Sequence, residues 1–246
     1  MLELKDITKH FGAIRAVDGV SFSVNKGECL GLVGDNGAGK STIVKIMSGF
    51  HSQTSGTMFV EGQSVQFMSP VDSRLHKIET VYQNLALVEQ LDVTTNFFLG
   101  RELFTEWGKF IRFLDKKTMC IQAEAELSRI GISIPSMSAK VSDLSGGQRQ
   151  SIAMARSIFW GSKCLVLDEP TAALGVKETA VVADLIKRVV NSGVAVVVVA
   201  HDIDLIKKLC SKIVVLRQGK VWSKLEASEV TASDIVHHIT GTDRSS

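Results

Sequence analysis

No stretch of this chain is suited to crossing a membrane: the longest apolar run, Val194 to Ala200, falls far short of the roughly 20 residues a spanning helix needs. Any hold on a membrane is therefore expected to come through a partner protein. No basic-then-apolar leader opens the sequence, so no export signal is expected. A surplus of one charge is also missing. The 28 Lys and Arg face 26 Asp and Glu, a net +2, without the basic excess of a nucleic-acid binder, and no nucleic acid is expected as a partner. Cysteine is sparse: Cys29, Cys120, Cys164 and Cys210 are far apart and form no C-x-x-C pair, which speaks against a disulfide scaffold or a thiolate metal site and for reduced thiols in the cytosol. Sustained heptads, low-complexity linkers and internal repeats are lacking as well. What is left is a 246-residue chain, 45% hydrophobic, able to bury one large core or a core plus a subdomain.

The most informative segment runs Gly34, Asp35, Asn36, Gly37, Ala38, Gly39, Lys40, Ser41, Thr42. It matches the G-x-x-x-x-G-K-[ST] phosphate-binding loop, and its context is right: Cys29 to Val33 reads as a buried strand and Thr42 to Met47 as an opening helix. Glycines let successive backbone N–H groups turn toward phosphate oxygens. Lys40 would place a point charge at the β- and γ-phosphates, the Ser41 hydroxyl would ligate the accompanying Mg²⁺, and the helix N-terminus adds its own attraction for a polyanion.

Before this loop, Leu2/Leu4 and Val20/Phe22/Val24 alternate as antiparallel strands do, with a turn at Asn25-Lys26-Gly27. Phe11-Gly12 falls between two such strands, where an aromatic can stack on an adenine or simply join the core. Beyond the loop, Thr57–Val60 and Val65–Phe67 suggest a hairpin around Glu61-Gly62, and Glu79 to Tyr82 a short strand leading to Gln83. From Asn84 to about Trp160 the character is helical, with Asp115 as N-cap of a helix ending at Gly131. Strands return at Cys164–Leu167, Val194–Ala200 and Ile213–Leu216, the last with a turn at Gln218-Gly219, and helices fill the gaps at Val176–Val190 and Asp202–Cys210. The expected fold is α/β: a phosphate-loop core on a mostly parallel sheet, an N-terminal antiparallel β subdomain, and an inserted α-helical subdomain. Its expected bounds are 1–83 and 160–225 for the core with its β subdomain, 84–159 for the helical insertion and 226–246 for a C-terminal tail.

Two further strings carry chemistry. Cys164-Leu165-Val166-Leu167-Asp168-Glu169 is an apolar strand ending in two acids: Asp168 suits Mg²⁺, held through water, and Glu169 is free to orient and deprotonate an attacking water, although a solvated acidic turn closed by Pro170 has the same composition. In Leu144-Ser145-Gly146-Gly147-Gln148, Ser145 can cap a helix whose first N–H groups face an anion; by itself this is a well-made helix start.

The order of these strings resembles the ATP-binding cassette (ABC) ATPases over nearly the whole chain, about Leu2 to Gly219. The resemblance implies ATP hydrolysis with Mg²⁺. It makes Phe11 the adenine-stacking aromatic in place of the usual Tyr, Gly34 to Thr42 the Walker A loop and Gln83 the Q-loop glutamine, a metal contact beside Ser41 and Asp168. It makes Ser145, Gly146, Gly147 and Gln148 the signature that closes over the nucleotide of a second subunit, Glu169 the catalytic base, and His201 the switch histidine at the γ-phosphate; unaided, Gln83 and His201 are ordinary strand-end residues. One departure is the D-loop, Ala172-Ala173-Leu174-Gly175 where the family usually has Ser-Ala-Leu-Asp. The partners implied are a second copy or a similar subunit, membrane-spanning permease subunits at the cytoplasmic face of the membrane and, indirectly, a periplasmic or extracellular solute-binding protein. Phe97 to Glu102 and Asp168 to Lys177 resemble bacterial importers of simple sugars such as ribose, xylose or fructose. An exporter, or a member acting on nucleic acid or ribosomes, is the alternative; the long coiled coil or paired cassettes of the latter two are not seen here.

Overall fold

The computed structural model describes residues 1–107 and 111–241. The expected tail thus falls inside the described residues only as far as 241. The chain divides into two compact units: residues 1–83, 161–170 and 186–246 form one, and residues 84–160 and 171–185 the other.

The first unit is built on two sheets. Strands β1 (Leu2–Phe11), β2 (Ile14–Val24), β4 (Ser55–Val60) and β5 (Gln63–Val65) pair antiparallel in the order β2-β1-β4-β5. The second sheet is six-stranded, ordered β12-β11-β3-β10-β9-β6, from β3 (Cys29–Gly34), β6 (Ile78–Val81), β9 (Cys164–Asp168), β10 (Ala195–Val199), β11 (Lys212–Arg217) and β12 (Lys220–Glu226). All its pairings are parallel except β11–β12, as a sheet made by crossover connections requires. Its central strands are continuous apolar runs because both faces are covered: β3 and β10 are buried at every position.

One apolar cluster joins the two sheets, with Leu2, Leu4, Phe22 and Met58 from the first and Leu30, Leu32, Val166 and Val197 from the second meeting Ile43, Val44 and Met47 of α1 (Lys40–Met47). Around it stand α2 (Pro70–Leu75), α7 (Ile203–Leu209) and α8 (Ala232–Thr240). The mixed architecture expected from sequence is borne out.

The second unit holds α3 (Val93–Phe98), α4 (Lys116–Arg129), α5 (Gly146–Phe159) and the N-terminal part of α6 (Val176–Asn191). Phe97, Phe98, Phe159 and Trp160 cluster with centroids 4.9–5.9 Å apart, Phe97 and Phe98 tilted to each other and the other pairs edge to face, a geometry aromatic rings favour. Asn96, wholly buried, knits the loop before α3: its Nδ2 donates to the Val88, Leu91 and Asp92 carbonyls and its Oδ1 accepts from the Val88 N–H. The block is not purely helical as expected, for β7 (Phe104–Trp107) and β8 (Ile111–Leu114) form a small antiparallel hairpin.

Candidate active site

A cavity of about 590 Å³ opens at the carboxyl ends of the parallel strands, where open α/β sheets hold their ligands. The segment between β3 and α1 supplies its floor. Gly39 caps α1 at φ 102°, and a Cβ there would lie 2.7 Å from the Ala16 carbonyl oxygen; at Gly34, φ 151°, a Cβ would run into the Leu216 carbonyl. Only glycine lets the loop fit at both places. Lys40 is buried, its ammonium donating to the carbonyls of Gly34 at 2.7 Å and Asp35 at 3.0 Å, and burial pushes its pKa below the usual lysine value.

The opposite wall comes from strand ends. Asp168 closes β9, and burial raises its carboxyl above the ordinary range against the pull of Lys40 and Lys45. Glu169 follows with φ 53°, a left-handed conformation that a non-glycine residue adopts at a cost, and its N–H is held by the Val199 carbonyl at 2.8 Å. Burial also raises the Glu169 carboxyl, while His201, Nε2 to Oε1 at 3.3 Å, opposes the rise.

The cavity lining thus brings together Asn36, Gly37, Ala38, Gly39, Lys40, Ser41, Thr42, Gln83, Asp168, Glu169 and His201, residues spread over most of the sequence. Gly34 and Asp35 shape the loop from behind. Phe11 ends β1 outside the lining, its ring edge-on to His51 at 5.2 Å with the Lys9 ammonium above it. Ser145, Gly146, Gly147 and Gln148 belong to the second unit, where they start α5 in a reciprocal cap: the Gln148 N–H donates to Ser145 Oγ and the Ser145 N–H to Gln148 Oε1.

Sequence reasoning missed the rim. Ile14, Arg15 and Ala16 of β2 and the Gln218-Gly219 turn line the cavity, tied by Asp18 N–H to the Gly219 carbonyl at 2.7 Å and Gly219 N–H to the Ala38 carbonyl at 3.1 Å. Gln218-Gly219 was legible only as a hairpin turn; nothing local says which residues it will meet.

The oxygen donors present fit Mg²⁺: the Ser41 hydroxyl, the Gln83 amide oxygen and one carboxylate, Asp168, share the cavity. That ion prefers few carboxylates and leaves positions for phosphate and water. Among the described residues no group of three or more His, Cys, Asp or Glu gathers as an all-protein metal cage would.

A backbone cradle with a buried lysine, sharing its cavity with acids at the end of β9, one strand beyond the neighbouring β10, takes a nucleoside triphosphate, and proteins so built are P-loop nucleotide hydrolases. Comparison with known proteins narrows this. The family model described as ABC transporter matches residues 17–172, and the chain belongs to that family of ATP hydrolases. It is 41% identical to the xylose/arabinose import ATP-binding protein of Sulfolobus acidocaldarius, over 98% of this chain and 94% of the relative. Identity to the fructose import ATP-binding protein of Rhizobium meliloti is also 41%, with the same coverage. The ribose import ATP-binding protein of Bacillus licheniformis is 34% identical, and there the match spans 98% of this chain but 48% of the longer relative. Among solved structures, a dimeric ATP-binding cassette in a post-hydrolysis state with ADP and phosphate superposes with a TM-score of 0.75 at 25% identity, covering 92% of this chain and 99% of that one. A second cassette, in its ADP conformation, gives 0.83 at 22% identity, covering 98% and 95%.

Proposed function

We propose that this chain is the ATP-hydrolysing subunit that drives import of a monosaccharide, acting as a nucleotide-clasped dimer beneath a membrane-spanning permease. The observation that carries the reading is the convergence of Lys40, Asp168, Glu169 and His201 on one cavity. ATP enters with its phosphates on the N–H groups of Gly37 to Thr42, and Lys40 turns from the loop carbonyls to the β- and γ-phosphates. Glu169, its pKa raised by burial, orients a water and takes its proton as the water attacks the γ-phosphorus. His201, beside Glu169, steadies the phosphate. Ser41, Gln83 and Asp168 would hold Mg²⁺, which would supply charge neutralisation at the phosphate oxygens.

Support for a second copy comes from the cap of α5. Ser145 Oγ and the Gly147 N–H suit a γ-phosphate but belong to a unit separate from the Lys40 loop; a partner's signature would complete each site. Opening after hydrolysis then follows from loss of the bridging phosphate. No helix among the described residues is long and apolar enough to cross a membrane, so a permease, docked on the helical unit at the cytoplasmic face, would supply the channel. A solute-binding protein outside would select the cargo. The names of the relatives support a pentose or hexose as that cargo.

Uptake of labelled xylose, arabinose, fructose and ribose by cells lacking this chain tests the reading. Plasmid-borne wild type should restore uptake of one of these sugars and Glu169→Gln should not. Equal sugar uptake with and without the chain would overturn it.

A further inference from the structure

In the helical unit, the glycines of the signature string are not open to an incoming anion. A Cβ on Gly147 would lie 3.1 Å from the Glu178 Cβ, and one on Gly146 would lie 2.6 Å from Leu174 Cδ2, so the stretch 174–178 is packed onto the start of α5. The Glu178 carboxylate uses this proximity. Its Oε1 accepts from the Gly147 N–H at 3.4 Å and its Oε2 from the Gly175 N–H at 3.3 Å, with the Ser145 side chain close by.

Part of this is ordinary helix capping. Glu178 sits in the first turn of α6, and its bond to the Gly175 N–H satisfies a helix end. The bond to the Gly147 N–H is of another kind, for it reaches back across 31 positions to the start of a different helix, beside Ser145. There the carboxylate finds a serine hydroxyl and a helix N-terminal N–H, donors that suit any oxyanion. The nearby Ser145 side chain first, then the Gly175 and Gly147 N–H groups, hold the Glu178 carboxyl below its ordinary range.

We propose that Glu178 is an intramolecular stand-in for phosphate: it occupies the Gly147 N–H beside Ser145 in the free subunit and must leave it when a second copy presents its nucleotide. This rests on the reading that the signature acts in trans. Two anions then compete for one set of donors. Like charges in close approach repel, so the γ-phosphate expels the carboxylate rather than sharing the site. Glu178 is only partly buried, and its side chain can rotate toward water while α6 stays in place. Closure is thereby set to require a high occupancy of ATP, and idle turnover by chance encounters is held down.

The test is the ATP concentration at which the dimer forms. In the Glu169→Gln background, Mg-ATP titrations followed by light scattering should give a midpoint several-fold lower for Glu178→Gln, which keeps a capping acceptor for Gly175 but lacks the charge. Glu178→Ala should move it the same way, and thermal melts read by circular dichroism check that both variants fold. A merely structural tie predicts the reverse, because loosening the signature would weaken the dimer. An unchanged or higher midpoint in both variants, with the Glu178-intact parent dimerising normally, overturns this proposal alone. A parent that stays monomeric at saturating Mg-ATP overturns the trans reading, and this proposal with it.

Discussion

His201 Nε2 lies 3.3 Å from Glu169 Oε1, at a point where the Glu169 backbone is turned left-handed and pinned by the Val199 carbonyl. Strain of this kind persists only where surrounding structure imposes it, and here it aims a carboxylate into the phosphate cavity. Glu169→Gln keeps the shape and removes the group proposed as the base. We expect phosphate release to fall about 10²–10⁴-fold, the usual contribution of a positioned general base, with binding of a fluorescent ATP analogue unchanged. Near-wild-type turnover would remove Glu169 from that role.

Lys40 is a buried cation whose present partners are two carbonyls of its own loop. In the proposed mechanism its bonds pass to phosphate when nucleotide arrives. Lys40→Met should lower ATP affinity by roughly 10- to 100-fold, the value of one charge-assisted contact, and lower adenosine affinity little, since adenosine carries no phosphate. Calorimetric titration with both ligands separates the two expectations.

Gly39 joins the loop to the rim. With φ at 102° and the Ala16 carbonyl 2.7 Å from where a Cβ would sit, Gly39→Ala meets both backbone strain and a clash with main chain that cannot swing away. A loss of about 1–3 kcal/mol in unfolding free energy is expected from urea melts, together with weakened ATP binding.

How legible all this was in the sequence depended on whether a feature is local. Cys29 to Gly34 and Cys164 to Asp168 announce themselves because a strand buried on both faces must be apolar throughout, and the residues at its end then carry the chemistry. The cap of α5 is local too, with Ser145 and Gln148 three apart. The hairpin of β7 and β8 was hidden because its strands are four residues each: Phe104 to Trp107 does not alternate, and Ile111-Arg112-Phe113 is too short an alternation to read as a strand. Helix α2 was signalled by Ser69, Pro70 and Asp72 at its start, yet it buries only Ser73 and leaves no stripe. The contacts of Gly219 with Asp18 and Ala38, and of Glu178 with Gly147, join residues far apart in sequence, and a single sequence says nothing of such pairs.

A last expectation concerns stability rather than catalysis. Glu61, in the turn between β4 and β5, bridges Lys163 at 2.6 Å and Lys26 at 2.8 Å, and the bonds to Lys163 and Lys26 hold its pKa down to about 2. A carboxylate whose pKa is lower in the folded than in the unfolded chain stabilises the fold above the unfolded value, near 4.3, and that contribution is lost as pH falls toward the folded value. Glu61→Gln should therefore lower the urea midpoint by the same small amount at pH 7 and pH 6 (roughly neutral conditions, well above the carboxylate range) and by progressively less below about pH 4.5. Because the group is exposed, salt near 0.5 M, where the Debye length is only about 4 Å, should shrink the difference as well. A difference that ignored both acid and salt would mean that Glu61 acts through turn geometry and not through its charge.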